Sequence, residues 1–236
     1  MPESGLTPMR EAPPRDAYDQ MYSAGGYEGI YDLPYRHSTY FPLFDKVLRQ
    51  LVRHGSKSVL EVGCGTGAFA HMVMERSHLQ YRGFDFSEVA VRKAIARTNR
   101  ADAFFVADAT NPQTYADQES DSIVCTEVLE HIEKDRGAMS NWRRGAYCVC
   151  SVPNFDADTH VRFFRDAEEV RSRYGDLIRI EGLVRIKKPW LSDISVRSRL
   201  RAIRWNRYRP HNLRSIFGLR SFDALGGWFM FHGVKL

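Results

Sequence analysis

The chain has 236 residues, 43% of them hydrophobic and 27% charged, with a formal net charge of +5. That is enough for one α/β domain with a real core and decorations, and it leaves little room for two full domains. No apolar run approaches the roughly 18 residues of a membrane span, and Met1 to Pro14 has prolines and mixed charge where a signal peptide needs an apolar stretch, so a cytoplasmic protein with no membrane span is expected.

Residues 1–15 read as a flexible tail. Asp16 to Tyr40 is rich in tyrosine (Tyr18, Tyr22, Tyr27, Tyr31, Tyr35, Tyr40) and is interrupted by Gly25, Gly26 and Pro34, which predicts short helices and loops. Phe44, Val47, Leu48 and Leu51 recur at helical spacing, so Phe41 to Arg53 is predicted as an amphipathic helix ending near Gly55. Strands and helices then alternate. Strands are expected over Ser58–Val62, Tyr81–Phe84, Ala103–Ala107, Ser122–Thr126 and Tyr147–Val152. Helices are expected over Gly67–Arg76, Glu88–Arg97 and Glu133–Trp142. This rhythm predicts βαβ units around a mostly parallel sheet. Beyond Pro153 it weakens to a helix over Asp166–Tyr174, a strand over Leu183–Ile186, a helix over Ser195–Trp205 and a closing strand over Trp228–Leu236.

Cys64, Cys125, Cys148 and Cys150 form no C-x-x-C pair and read as reduced thiols. Arg197, Arg199, Arg201, Arg204, Arg207, Arg209, Arg214 and Arg220 occur with no acid among them, and Trp205 and Tyr208 are interleaved. Such a stretch either binds phosphate or another anion, or forms a solvated basic helix face.

The chemistry concentrates at strand ends. The first strand runs into Glu61-Val62-Gly63-Cys64-Gly65-Thr66-Gly67, an acid followed by G-x-G-x-G before a helix. Glycines there let a ligand lie against the backbone, and the helix presents free N–H groups and a positive dipole end. About 20 residues on, Asp85 is placed to take the two ribose hydroxyls of a nucleoside. Asp108 ends the third strand and could accept from an adenine amino group. Three acids at neighbouring carboxyl ends line one crevice, where open α/β sheets bind ligands.

VLEVGCGTGAFA, followed by GFDFS, ADAT and CTEVLEHI, resembles the class I S-adenosylmethionine-dependent methyltransferases over about Ser58 to Asn154. The resemblance implies a Rossmann-like α/β fold, with a mostly parallel seven-stranded sheet and helices on both faces. It implies a cofactor-binding core over 58–154, a helical lid over 16–57, and a substrate-side insertion with closing strands over 155–236. Glu61 and the backbone of Gly63, Cys64, Gly65 and Gly67 would hold the methionine end of S-adenosylmethionine. Asp85 would hold the ribose, with Phe86 and Ser87 beside it. Asp108 and Ala109 would meet the adenine edge, and Glu127 would lie beside the sulfonium. In the lid, Tyr18 or Tyr22 would cover the site and Arg36 would pair with the methionine carboxylate; in the alternative, the tyrosines only pack the outer helix.

Spacings of three and four place Glu127, Glu130 and His131 together on a helical turn. This E-x-x-E-H run is similar to that of ubiquinone-biosynthesis O-methyltransferases and of small-RNA 3′-terminal 2′-O-methyltransferases, which implies a divalent cation such as Mg²⁺ on Glu127, Glu130, His131 and His160. His131 acting as a base beside Glu130 without a metal, and a structural His131, stay open beside it. His71, His78 and His211 read as surface residues.

The function expected is O-methylation of a small metabolite, such as a sugar or secondary metabolite. An anionic acceptor would suit the arginines of 197–220. The alternatives are an RNA 2′-O-methyltransferase, an N-methyltransferase of a small molecule, and a protein that binds the cofactor without catalysis.

Overall fold

In a computed structural model of the chain, residues 11–26, 29–187, 204 and 226–236 are described. The helix expected over Ser195–Trp205 and the arginine-rich stretch fall outside them, apart from Arg204.

Five apolar runs, rich in valine, isoleucine and aromatic residues, become parallel strands: β1 (Ser58–Val62), β2 (Gln80–Asp85), β3 (Phe104–Val106), β4 (Ser122–Thr126) and β5 (Tyr147–Pro153). Two more strands, β6 (Ile178–Lys187) and β7 (Gly227–Lys235), complete a seven-stranded sheet in the order β3-β2-β1-β4-β5-β7-β6. β7 is antiparallel to both its neighbours. The chain reverses direction across the sheet between β1 and β4, and the carboxyl ends of those strands flank a crevice at this switch point.

Both faces of the sheet are covered, so neighbouring residues of one strand are both buried; Val59 goes to one side and Leu60 to the other. On the first face lie α2 (Phe41–His54), α3 (Ala68–Arg76) and α4 (Glu88–Thr98), with Leu43, Val47, Leu51, Phe69, Met72 and Ala94 against Val59, Val124 and Val149. The second face carries Met139 of α5 (Asp135–Ser140) and Val170 and Tyr174 of α6 (Ala167–Tyr174). A short helix, α1 (Arg15–Ser23), precedes the rest. Helix α2 ends as expected, with Gly55 at φ +83° letting its N–H reach back to the last carbonyls.

Three expectations change in extent. β3 keeps only Phe104–Val106, because Ala101–Ala103 coil into a 3-10 turn. The expected strand over Leu183–Ile186 is the second half of β6, which starts five residues earlier beyond an irregularity between Ile180 and Gly182. Glycine is needed there, since a Cβ on Gly182 would stand 2.2 Å from Nε2 of His232. The helix expected over Glu133–Trp142 is shorter, α5 alone, and a 3-10 turn, Leu129–His131, precedes it.

All four cysteines are free and buried, with Cys125 opposite Cys150 across β4 and β5. Among the described residues no helix is long and apolar enough to cross a membrane.

Candidate active site

The glycine turn after β1 has Gly63, Gly65 and Gly67 at positive φ. Two of these glycines are required by packing inside the fold. A Cβ on Gly63 would stand 2.3 Å from Val128, and one on Gly67 would stand 2.9 Å from the backbone of Ala94. Gly65 differs: among the described residues its open side meets only Tyr22 of α1, the hydroxyl at 3.6 Å and the ring edge at 3.9 Å. It is therefore the position where a ligand can lie on the main chain.

Asp85, at the end of β2, ties this turn to the next one. Its buried carboxylate accepts the N–H of Gly65 at 2.9 Å and that of Ser87 at 3.0 Å. Burial raises its pKa to about 6 against the pull of those two N–H groups, and the nearby Asp19 charge adds to the rise. Glu61 lies deeper. Its carboxylate accepts from the Tyr81 hydroxyl, and burial raises its pKa to about 8. Ser87 caps α4 by accepting from the N–H of Ala90 at 3.1 Å.

Helix α1 crosses the mouth of this crevice. Tyr22 follows Asp19 by three residues and Tyr18 by four, the spacings that bring side chains to one face of a helix. The Tyr18 ring stands edge-on to Phe86 at 5.1 Å and to His131 at 5.9 Å. Asp19 accepts a hydrogen bond from the Ser87 hydroxyl. Tyr22 covers Gly65, and burial holds its hydroxyl well above the usual tyrosine pKa. The loop beyond α1 is tied down as well: Thr66 donates to the carbonyl of Tyr31 at 2.7 Å, and Arg97 donates to those of Tyr31 and Leu33.

At the end of β4 a second cluster forms. Glu130 is fully buried, and neither carboxylate oxygen has a hydrogen-bond partner. Burial, and next the charge of Glu127, push its pKa well up. Nε2 of His131 lies 3.9 Å from it. Nδ1 of His131 faces the carbonyl of Thr159 at 2.9 Å, and Nδ1 of His160 faces that of Phe155 at 3.2 Å. A carbonyl only accepts, so each Nδ1 carries the proton and each Nε2 keeps its lone pair. Burial lowers the His131 pKa, which favours the neutral ring. Ligand atoms of Glu130, His131 and His160 lie within 4.8 Å of one another. Histidines that hold metals are oriented in this way, by the other ring nitrogen donating to a backbone carbonyl.

The structure thus gathers Tyr22, Glu61, Gly63, Cys64, Gly65, Gly67, Asp85, Phe86 and Ser87 at one end of the crevice, and Glu130, His131 and His160 at the other. Four expected residues stand elsewhere or are otherwise engaged. Arg36 is on the surface, paired with Glu75 in the last turn of α3. That turn is about 12 Å along the helix from Gly67, at ~1.5 Å per residue, so the guanidinium sits at the wrong end of α3 for the methionine carboxylate. Glu127 leaves the helical turn expected for it. Its backbone is left-handed, with φ +58°, and its carboxylate accepts from the Ser151 hydroxyl and the Trp228 indole N–H. It therefore stands outside the group of Glu130, His131 and His160. Asp108 is exposed and accepts from the N–H and hydroxyl of Thr110, while the carbonyl of Ala109 accepts from Tyr115. Asp108 is placed at the rim by Ala107, whose N–H bonds the Asp85 carbonyl.

Sequence reasoning missed Asp19 and Trp228. The spacing of Tyr18 and Tyr22 on α1 was a usable signal for Asp19 between them. Trp228 had none, because its link to Glu127 spans 101 residues.

Comparison with known proteins accords with this geometry. A model of the methyltransferase domain matches residues 35–225. No curated protein matches the chain by sequence. Among solved structures, the [4+2]-cyclase SpnF is 19% identical, with 99% of each chain covered and a TM-score of 0.66. The N-methyltransferase NodS from Bradyrhizobium japonicum WM9, in complex with S-adenosylhomocysteine, is 19% identical over 84% of this chain and 87% of its own, with a TM-score of 0.57. A methyltransferase from Geobacter sulfurreducens bound to the same product is 15% identical over 81% and 91%, with a TM-score of 0.50. At these identities the likeness is one of fold.

Proposed function

Since this chain belongs to the methyltransferase-domain family and is an S-adenosylmethionine-dependent methyltransferase, we propose that it methylates an oxygen of a small acceptor placed against Glu130, His131 and His160. One observation carries this reading: a fully buried carboxylate without a hydrogen-bond partner faces two imidazoles whose Nδ1–H groups are already committed. Burial keeps such a carboxyl protonated on its own, and a cation beside it would let it ionise.

We assign the cofactor by the same logic. Asp85 takes the ribose hydroxyls through the lone pairs left by Gly65 and Ser87, with Phe86 beside the adenine. Glu61 and the backbone of Gly63 to Gly67 hold the methionine end. Tyr22, Tyr18 and Asp19 close α1 over it and exclude water from a displacement that needs mainly alignment. Asp108 and Ala109 remain at the adenine rim.

A divalent cation fits Glu130, His131 and His160, and when bound it would lower the pKa of an acceptor hydroxyl. The chain's own contribution is to hold each imidazole by its Nδ1–H, so that Nε2 is the basic nitrogen, and to keep the pocket dry. With no cation there, His131, neutral through burial, would instead receive the hydroxyl proton at Nε2.

An amine acceptor is the second reading. Tyr40 packs on Trp228 at 5.5 Å, near Glu127 and Glu130, and aromatic rings beside carboxylates suit an ammonium group. NodS is an N-methyltransferase.

The test is S-adenosylhomocysteine release from panels of hydroxyl and amine acceptors, before and after chelation and with Mg²⁺ restored. Release from hydroxyl acceptors, lost on chelation and regained with Mg²⁺, is expected. Release from amines only, unaffected by chelation, would overturn the oxygen assignment.

A further inference from the structure

We propose that Arg162 is a positioning residue for the acceptor end of the site: its buried guanidinium grips the backbone of the turn that presents Glu130 and His131. The inference rests on the proposed role of those two residues.

Arg162 is only 7% exposed, an unusual place for a guanidinium. Its Nη1 donates to the carbonyls of Leu129 and Ile132, each at 2.6 Å. Nη2 donates to the carbonyl of Glu133 at 2.8 Å. The residues on either side of Arg162 continue the grip. The N–H of Val161 donates to the carbonyl of Glu130 at 2.9 Å, and the carbonyl of Thr159 takes Nδ1–H of His131. One short segment, 159–162, thus holds the turn on its backbone and on the imidazole itself.

The grip is anchored behind. Arg162 lies 3.3 Å from Asp135, which is 1% exposed. Asp135 also accepts from Arg173 through both oxygens, at 2.8 and 2.6 Å, and from the Tyr174 hydroxyl at 2.7 Å. The network runs from α6 through α5 to the turn and ends there. A three-residue 3-10 turn has too few hydrogen bonds of its own to fix its direction. Buried carbonyls left without donors would re-aim the turn or draw in water. A planar guanidinium reaches the three carbonyls from two nitrogens held in a fixed fork, whereas an ammonium has its three donors on one nitrogen and cannot reproduce that fork.

The test compares Arg162→Lys with the wild type in three measurements: Kd for S-adenosylhomocysteine, ring ¹⁵N signals of His131 and His160 in metal-free protein, and Mn²⁺ binding by calorimetry to the product-loaded protein. Product affinity within about twofold, shifted His131 ring signals and Mn²⁺ affinity weakened at least tenfold are expected. A residue that only stabilised the fold would lower Tm and leave the ring signals of the folded protein in place, and that result overturns the proposal. Failure of the wild type to take up Mn²⁺ would sink the cation assignment alone, because the ring signals are read without metal. Should Arg162→Lys fail to fold, Arg173→Lys loosens the same network from its wetter end. A smaller shift of the same signals is then expected, and unmoved signals count against the proposal.

Discussion

The carboxylate of Asp85 holds the N–H of Gly65 at 2.9 Å, so the residue that ends β2 also sets the shape of the turn that ends β1. Asp85→Ala removes the ribose acceptor and the brace together. S-adenosylhomocysteine affinity is expected to fall at least tenfold, about 1.4 kcal/mol. Calorimetry checks this, and unchanged affinity would place the ribose elsewhere.

Glu61 makes stability depend on pH. Its folded pKa is about 8, whereas a glutamate in an unfolded chain ionises near pH 4 (~4.3). Between those values the folded chain holds a proton that the unfolded chain has released, so stability falls as pH rises through that window. Glu61→Gln has no charge to develop and can still accept from Tyr81. Its melting temperature without cofactor should match the wild type at pH 4 and exceed it by several degrees at pH 8.5. An advantage that is the same at both pH values would show that Glu61 does not titrate in this range.

His131→Ala separates chemistry from cofactor binding. Turnover is expected to drop about a hundredfold, with Kd for S-adenosylmethionine within about twofold. His160→Ala should weaken cation binding without touching the cofactor either. Full turnover in both variants would leave the acceptor end of the crevice without a role.

Asp19→Ala removes the bond that ties α1 to Ser87 and a negative charge beside Asp85. Product release, followed by stopped-flow displacement, should speed up about fivefold. The exposed Asp16 on the same helix serves as the control, and Asp16→Ala should leave the rate alone. Equal rates in the two variants would show that α1 is held shut by its tyrosines instead.

The parts of the site that depend on local sequence could be read in advance. Gly63, Gly65 and Gly67 sit where a turn after a strand needs them, and Asp85 follows at the spacing of one βαβ unit. Ser87 and Asp166 cap α4 and α6, close to where those helices were expected to begin. What could not be read depends on meetings between distant segments. Glu127 fitted a helical spacing, yet Val128 packs against Gly63 and Trp228 draws the Glu127 carboxylate, so the backbone turns left-handed there. Arg36 looked available because nothing near it in sequence shows that Glu75 waits across α3. The network of Asp135, Arg162, Arg173 and Tyr174 was hidden for the same reason: its members lie up to 39 residues apart, with no periodicity to group them.

β7 runs against its neighbours, so its opening residues, and not its closing ones, arrive at the carboxyl ends of the parallel strands. Trp228 reaches Glu127 only by this reversal. The glycine turn and Asp85 are therefore framed by parallel strands alone, whereas Glu127 also needs the antiparallel one. A chain shortened before Gly227 would lack both the indole partner of Glu127 and the strand that joins β6 to β5.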